Sequence, residues 1–137
     1  MQTSETGIAF LKSNEGFSAV PYSDNGHMAW GYGHDQTAAE AVPLCVSLAE
    51  ADLLLREDLA TRFEPIVSTH VPPDCTQGQF NALVDFCYNL GEGALETMLS
   101  HGWDKVPVQL PRWNRVNGAI SPGLAARRHT ELAMFQS

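Results

Sequence analysis

The sequence predicts an α+β fold that combines a small β-rich lobe with a larger α-helical lobe. One observation is the aromatic, glycine-rich run over 27–34, which has the composition of a strand bounded by turns. Another is a pair of capping boxes at Ser47 and Thr76, each opening a segment with helically spaced apolar residues. A length of 137 residues, of which 44% are hydrophobic and 18% charged, predicts a single globular domain over 1–137.

The first helix is predicted to begin near residues 3–4 and to end at Glu15. Ile8, Leu11 and Glu15 have i, i+3, i+7 spacing, so the glutamate continues the apolar stripe instead of facing water. A carboxylate beside apolar surface is costly to ionise, so we expect a raised pKa for Glu15, which suits a proton donor. Gly16 is predicted to end the helix in a left-handed conformation.

A second carboxylate, Asp24, follows in the turn sequence over 23–26. Side chains in such turns find local hydrogen bonds and solvent, so this carboxylate is expected to stay charged. Each acid also has a structural interpretation, since Glu before Gly is common at helix ends and Asp-Asn-Gly is common in hairpins. Two carboxylates in unlike environments nevertheless favour an acid and base pair.

Three short motifs in this region form a joint pattern, and they stand as Glu15-Gly16, Tyr22-Ser23-Asp24 and Gly31-Tyr32-Gly33-His34. This pattern resembles the phage-type lysozymes, the muramidase endolysins of glycoside hydrolase family twenty-four, including the eight residues between the two acids. The resemblance implies a lysozyme-like fold with a cleft between the lobes. It also implies catalytic roles for Glu15 and Asp24, and substrate binding by Tyr22 and His34.

One position departs from the family pattern. Members of the family carry a threonine two residues before the first glycine of Gly-x-Gly-His, where it helps to hold the attacking water, and this chain has Ala29 there. Either Ser23 or His27 takes over part of the water-positioning role, or the chain is a weakened or inactive relative. Loss of one positioning group costs roughly a hundredfold in rate.

A long amphipathic helix is predicted over 47–63, linking sub-lobes at about 13–46 and 64–137. It opens with the capping box Ser47-Leu-Ala-Glu50 and is expected to end before Pro65 or soon after it. Its predicted buried stripe consists of Leu48, Ala51 or Asp52, Leu55, Leu59 and Phe63.

The helix that opens at Thr76 is predicted to form the centre of the second lobe. Its predicted buried stripe consists of Phe80, Leu83, Val84, Cys87 and Leu90. The resemblance implies that Tyr88 and Asn89 face the sugar cleft, whereas the alternative is a core aromatic and a helix-end asparagine. A short helix is expected over 94–99.

Near the C-terminus, Ser121 and Pro122 predict the start of a final helix. Before it, Pro107 and Pro111 are expected to limit helix formation. Paired arginines at 127–128 are predicted to bind carboxylates of the first lobe, with solvation as the alternative.

No metal and no cofactor are predicted. The cysteines at 45, 75 and 87 are odd in number and lack Cys-x-x-Cys spacing, so they are expected to be buried or partly buried free thiols. The five histidines show no i, i+4 pair.

Charge is distributed unevenly along the chain. Residues 1–111 hold four basic and fifteen acidic residues, a balance of −11, whereas residues 112–137 hold four basic and one acidic, a balance of +3. The net charge of −8 argues against sequence-independent nucleic-acid binding. We find no leader and no run of eighteen apolar residues, so the sequence predicts a protein made in the host cytoplasm, without stable membrane insertion.

The predicted function is hydrolysis of the β-1,4 bond between N-acetylmuramic acid and N-acetylglucosamine, leading to host-cell lysis. The expected partner is the glycan strand of peptidoglycan, reached after holin-dependent release, and a monomer is expected. The alternative is a weakened or inactive peptidoglycan-binding module. An antibacterial effector delivered by another cell would use the same chemistry.

Overall fold

The computed structural model describes residues 1–137 and begins with helix α1, Glu5–Glu15. Ser4 caps this helix by accepting a hydrogen bond from the Gly7 backbone N–H, and Ile8 and Leu11 are buried as predicted. Gly16 ends the helix with a φ of 69° and a ψ of 168°. The positive φ was predicted, but the extended ψ directs the chain into a strand instead of a left-handed turn.

A three-stranded antiparallel sheet follows, with strand order β1-β2-β3; the strands are Ser18–Asp24, His27–Gly31 and His34–Asp35. Asn25 and Gly26 connect the first two strands with φ values of 49° and 87°, as a two-residue hairpin turn with two positive φ angles requires. Pro21 lies on the edge strand β1, between Ser18 and Tyr22, where the register shifts. A proline is tolerated there because it interrupts no regular ladder.

The linking helix comprises α2, Leu48–Asp58, a π-helical turn, Leu59–Phe63, and α3, Glu64–Ser68. Both hydrogen bonds of the predicted capping box at Ser47 are present. The helix passes the predicted end at 63 because the Glu64 N–H bonds to the Leu59 carbonyl, five residues back. This wider turn precedes Pro65, which lacks an N–H for the regular ladder. Leu48 is 60% exposed, so its predicted burial is wrong.

The α-helical lobe is built around α4, Gln77–Leu90, whose predicted capping box at Thr76 is confirmed. Its central apolar residues belong to the main hydrophobic core, whereas Leu90, which was predicted to be buried, is only partly buried. Helix α5, Glu92–Leu99, begins two residues earlier than predicted. Between Leu99 and Trp113, two 3₁₀ turns flank the short helix α6, Val106–Gln109, and each proline stands in a first helical turn, where its missing N–H costs nothing.

The chain closes with a hairpin and a helix. Strands β4, Arg115–Val116, and β5, Ala119–Ile120, are joined by an Asn-Gly turn that the sequence analysis did not identify. Helix α7, Pro122–Phe135, carries the predicted Ser121 cap and packs against α4.

Two further findings concern surfaces. Cys45 is exposed, so its predicted burial is wrong, whereas Cys75 and Cys87 are buried free thiols. Every helix is too short or too polar to span a bilayer.

Candidate active site

A cavity of about 460 Å³ is open between the sheet, the linking helix and the C-terminal end of α4. Six of the predicted site residues line it: Glu15, Tyr22, Asp24, His34, Tyr88 and Asn89. Their convergence from four separate elements defines this cavity as the candidate active site.

Glu15 projects into the cavity from the last position of α1, with its side chain 19% exposed. Burial raises the pKa of this carboxyl, although the Arg127 guanidinium, with Nη1 at 3.3 Å from Oε2, opposes the rise. Gly33 backs this site with a φ of 80°, and an added Cβ would lie 3.4 Å from Glu15 Oε1. A raised pKa keeps more of the acid protonated near neutral pH, as a proton donor requires.

Asp24 differs from Glu15 because its side chain is 44% exposed at the end of β1. Tyr22 lines the cavity together with both acids, and burial together with the nearby Asp24, Glu15 and Asp35 raises its pKa. The Tyr22 hydroxyl therefore remains a neutral donor.

Tyr88 is both part of the core and part of the cavity wall. Its ring packs on Phe63 at a centroid distance of 4.7 Å, and its hydroxyl donates to the Tyr32 carbonyl at 2.7 Å. Burial is the main cause of its raised pKa. This contact ties α4 to the segment between β2 and β3.

His34 lines the cavity, but both of its ring nitrogens are occupied. Nδ1 lies 2.6 Å from Asp58 Oδ2 and Nε2 lies 2.8 Å from Glu40 Oε1. Burial alone would lower the pKa of His34, yet these two hydrogen bonds outweigh it and raise the pKa to about 9. His34 thus fastens the loop after β3 to the linking helix, which leaves its ring edge unavailable for sugar hydroxyls.

The two candidates for water positioning have different locations. Ser23 is exposed and does not line the cavity, because alternate residues of a strand face opposite sides and Asp24 faces the cleft. His27 lies across the hairpin from Asp24, and its Nε2 is 3.1 Å from Asp35 Oδ1.

Asp35 was not among the predicted site residues, although it follows the Gly-x-Gly-His motif directly and lines the cavity. One ligand atom from each of Asp24, His27 and Asp35 lies within 4.8 Å of the other two. We call these three residues the sheet cluster. No i, i+4 spacing signals it, because strand pairing and not helical spacing brings the residues together.

Behind Glu15 lies a second group, which we call the buried cluster: Asp85, Arg127, Arg128 and Glu131. Arg127 donates two hydrogen bonds to Asp85, at 2.8 and 2.9 Å. Arg128 donates to Glu131 at 3.0 Å and to the predicted site residue Asn89. Burial raises the pKa of Glu131 well above its ordinary value. Pairing of the arginines was predicted, but their main partners lie in the α-helical lobe.

A small sheet and a helical lobe surround a groove, and this groove holds one shielded and one water-facing carboxylate. These features define a lysozyme-like protein. The sequence model of the phage lysozyme family matches residues 12–131, and this chain belongs to that family.

Individual relatives agree with this assignment. The chain is 36% identical to the endolysin of Bacillus phage PZA, in an alignment that covers all of this chain and 56% of that protein. It therefore spans little more than half the length of that relative. The muramidase domain of SpmX from Asticaccaulis excentricus has a TM-score of 0.83 at 28% identity, covering 99% of this chain and 98% of that one. An endolysin from Escherichia coli O157:H7 phage FAHEc1 has a TM-score of 0.81 at 26% identity, with 98% and 93% coverage.

Proposed function

We propose that the protein hydrolyses the β-1,4 bond between N-acetylmuramic acid and N-acetylglucosamine in peptidoglycan. The observation that carries this proposal is the placement of a shielded Glu15 and a half-exposed Asp24 on one cavity. A carboxyl group whose pKa is raised by burial, on one cavity with a second carboxyl group that water reaches, suits glycoside hydrolysis.

In the proposed reaction, Glu15 gives its proton to the departing glycosidic oxygen as the carbon–oxygen bond breaks. A water oxygen bonds to the anomeric carbon, and Asp24 accepts the proton that this water releases. Asp24 also stabilises the positive charge that develops on the sugar ring. The family resemblance favours inversion, which needs carboxyl groups roughly 6.5–9.5 Å apart to leave room for the water, instead of about 5 Å.

The remaining site residues have proposed supporting roles. Tyr22, 43% exposed, offers its hydroxyl and ring to the glycan, and Asn89 lines the same cavity beside Tyr88. His34 is proposed to act indirectly, through the loop that it holds, because both of its nitrogens are engaged. The proposed setting is the bacterial wall, reached after holin-dependent release, with the protein acting as a monomer without metal or cofactor.

A second candidate function is glycan binding without hydrolysis. Ala29 supports it, because this residue is fully buried and offers no polar group to a water. Both candidates use the same cavity, but only hydrolysis needs the proton on Glu15.

The two candidates are separated by comparing wild type with Glu15→Gln on permeabilised cells and on purified sacculi. For hydrolysis, we expect wild type to clear the cells and release reducing ends, and the variant to lose roughly 10²–10⁴-fold in rate. Asp104→Asn, at a residue that does not line the cavity and whose side chain is 80% exposed, serves as the control. Equal, slow clearing by wild type and Glu15→Gln, with both still binding sacculi, would establish the binding function instead.

A further inference from the structure

One face of the sheet carries more polar groups toward the cleft than the predicted acid and base. Tyr22 pairs with Ala29 across β1 and β2, and Ala29 pairs with Asp35 across β2 and β3. Asp24 and His27 form the next cross-strand pair of the hairpin. Directly opposed residues point to the same side of an antiparallel sheet, and residues two apart in a strand also share a side. All five side chains therefore stand on one face.

Asp35 is the member of this row whose function is unassigned. It lines the same cavity as Glu15 and Asp24, and its side chain is 48% exposed. His27 Nε2 lies 3.1 Å from one of its oxygens and donates to it, because a carboxylate offers acceptors only. The same Nε2 lies 3.9 Å from Asp24 Oδ2. The imidazole thus stands between two carboxylates and holds the orientation of Asp35.

The spacing of the two carboxylates suits a shared water molecule. One oxygen of Asp24 and one of Asp35 lie within 4.8 Å of each other. A water that donates both hydrogens over about 2.8 Å each spans acceptors that are about 4.5 Å apart. Such a water has both hydrogens turned toward the sheet, so its lone pairs point away from the sheet, into the open cavity.

We propose that Asp35 is a catalytic residue that holds the attacking water jointly with Asp24, and that His27 is a positioning residue for Asp35. This inference rests on the proposed hydrolysis. Asp24 takes the proton that the water releases as the new carbon–oxygen bond forms. Asp35 only accepts a hydrogen bond, and Glu15 protonates the departing oxygen, so one proton is gained and one lost by the protein.

Residue 29, which pairs with Asp35 in this row, explains why the attacking water needs a second hydrogen-bond acceptor. Ala29 lies between Tyr22 and Asp35 in the same row and presents only a methyl group, fully buried. Strand β2 therefore offers no side-chain acceptor beside Asp24, because the Nε2 of its His27 is directed at Asp35. Asp35 on β3 supplies the hydrogen-bond acceptor that residue 29 on β2 lacks.

The test measures reducing-end release from purified sacculi by wild type, Asp35→Ala and Asp104→Asn, together with sacculus binding and thermal melting. We expect Asp35→Ala to lose about a hundredfold in kcat while its binding to sacculi changes less than about twofold. Asp35 is half exposed, so the variant is expected to melt with wild type. Asp104→Asn removes a similar charge outside the cavity and is expected to keep full activity.

A rescue experiment distinguishes water positioning from a structural role. Ala29→Thr places a hydroxyl on the neighbouring strand of the same row, so in the Asp35→Ala background it is expected to restore at least about tenfold of the lost rate. Alone it is expected to change the rate by less than about threefold, because Asp35 already holds the water. His27→Gln is expected to lower kcat without changing sacculus binding.

Three results would overturn the inference. The first is an Asp35→Ala variant with at least half of the wild-type rate; the second is a parallel loss of rate and binding. The third is an Ala29→Thr substitution that strongly raises the hydrolysis rate of wild type but does not raise the rate of Asp35→Ala. In each case an inactive Glu15→Gln beside an active wild type leaves the proposed hydrolysis intact. A wild type that releases no reducing ends contradicts both proposals.

Discussion

The sheet cluster and the buried cluster both combine carboxylates with nitrogen-bearing side chains, but in opposite environments. Side chains of the sheet cluster are 39–48% exposed, whereas those of the buried cluster are at most 6% exposed. Exposed charges gain little from pairing, since water screens them, and remain free to bind a substrate. Buried charges that lose a partner cost several kcal/mol. The comparison therefore separates groups whose loss should affect the proposed chemistry from groups whose loss should destabilise the fold.

Removing Asp85 should break the buried cluster and give the largest loss of stability. Asp85→Ala leaves the Arg127 guanidinium buried without its bidentate partner, so we expect the free energy of unfolding to fall by about 3–5 kcal/mol. Urea denaturation at pH 7 measures this loss. The matched control is Asp35→Ala from the sheet cluster, which should unfold at the wild-type urea midpoint. Equal losses in the two variants would contradict the distinction between the clusters.

His34 shares a feature with each cluster, because it is buried but is paired with partly exposed carboxylates. Its pKa of about 9 lies above the ordinary 6.5, so its stabilisation is complete below pH 6.5 and is lost as the pH rises through 9. His34→Gln should therefore cost about 2–3 kcal/mol more at pH 6 than near pH 10. Urea denaturation at the two pH values tests this. His101→Gln, at an exposed histidine, should unfold like wild type at both.

Arg127 connects the buried cluster to the proposed proton donor. Its cation opposes the burial that raises the pKa of Glu15, so Arg127→Gln should raise that pKa further. A general acid stops working when the pH exceeds its pKa, so the alkaline limb of the kcat/KM profile should move to higher pH. Reducing-end release measured across pH, below the melting temperature of the variant, tests the direction. A limb that moves to lower pH would show that Arg127 does not act on Glu15 in this way.

The smallest effect is expected at the surface ion pair between α1 and the linking helix. Arg56 donates to both oxygens of Glu5, whose side chain is 78% exposed. Exposed pairs are screened by water and salt, so Glu5→Gln should leave the urea midpoint unchanged within error, with or without added salt. A clear decrease at low salt would show that surface pairing matters more here than its exposure indicates.

Local sequence patterns were sufficient for much of the fold. The capping boxes at Ser47 and Thr76 and the cap at Ser121 act within four residues, so their signals are complete in the sequence. The burial of Glu15 followed from its place on a helical stripe. The helix was predicted to end before Pro65 or soon after it, and its end at Ser68 agrees; the π-helical turn before Pro65 was not predicted, because such a turn depends on how the helix is packed and leaves no fixed pattern.

Partners in the site depended on contacts that local patterns do not encode. The Asp85 and Arg127 pair joins residues 42 positions apart, through the packing of α4 against α7. Asp35 reached the cleft through strand register, which is set by the turns and by the irregularity beside Pro21. Ser23 was the opposite case: it stands beside Asp24 in sequence, but the pleat of β1 turns it away from the cavity.

The π-helical turn over 59–63 also determines the shape of the groove. Its residues Thr61, Arg62 and Phe63 line the cavity, and the turn holds one residue more than an α-helical turn would. A π turn accommodates one inserted residue in a helix, so deleting a single residue there would restore regular α-helical winding while the later residues keep the side of the helix that they now face. The extra residue therefore acts only within this turn, where it bulges the helix at the cavity wall and leaves the facing of the later residues unchanged.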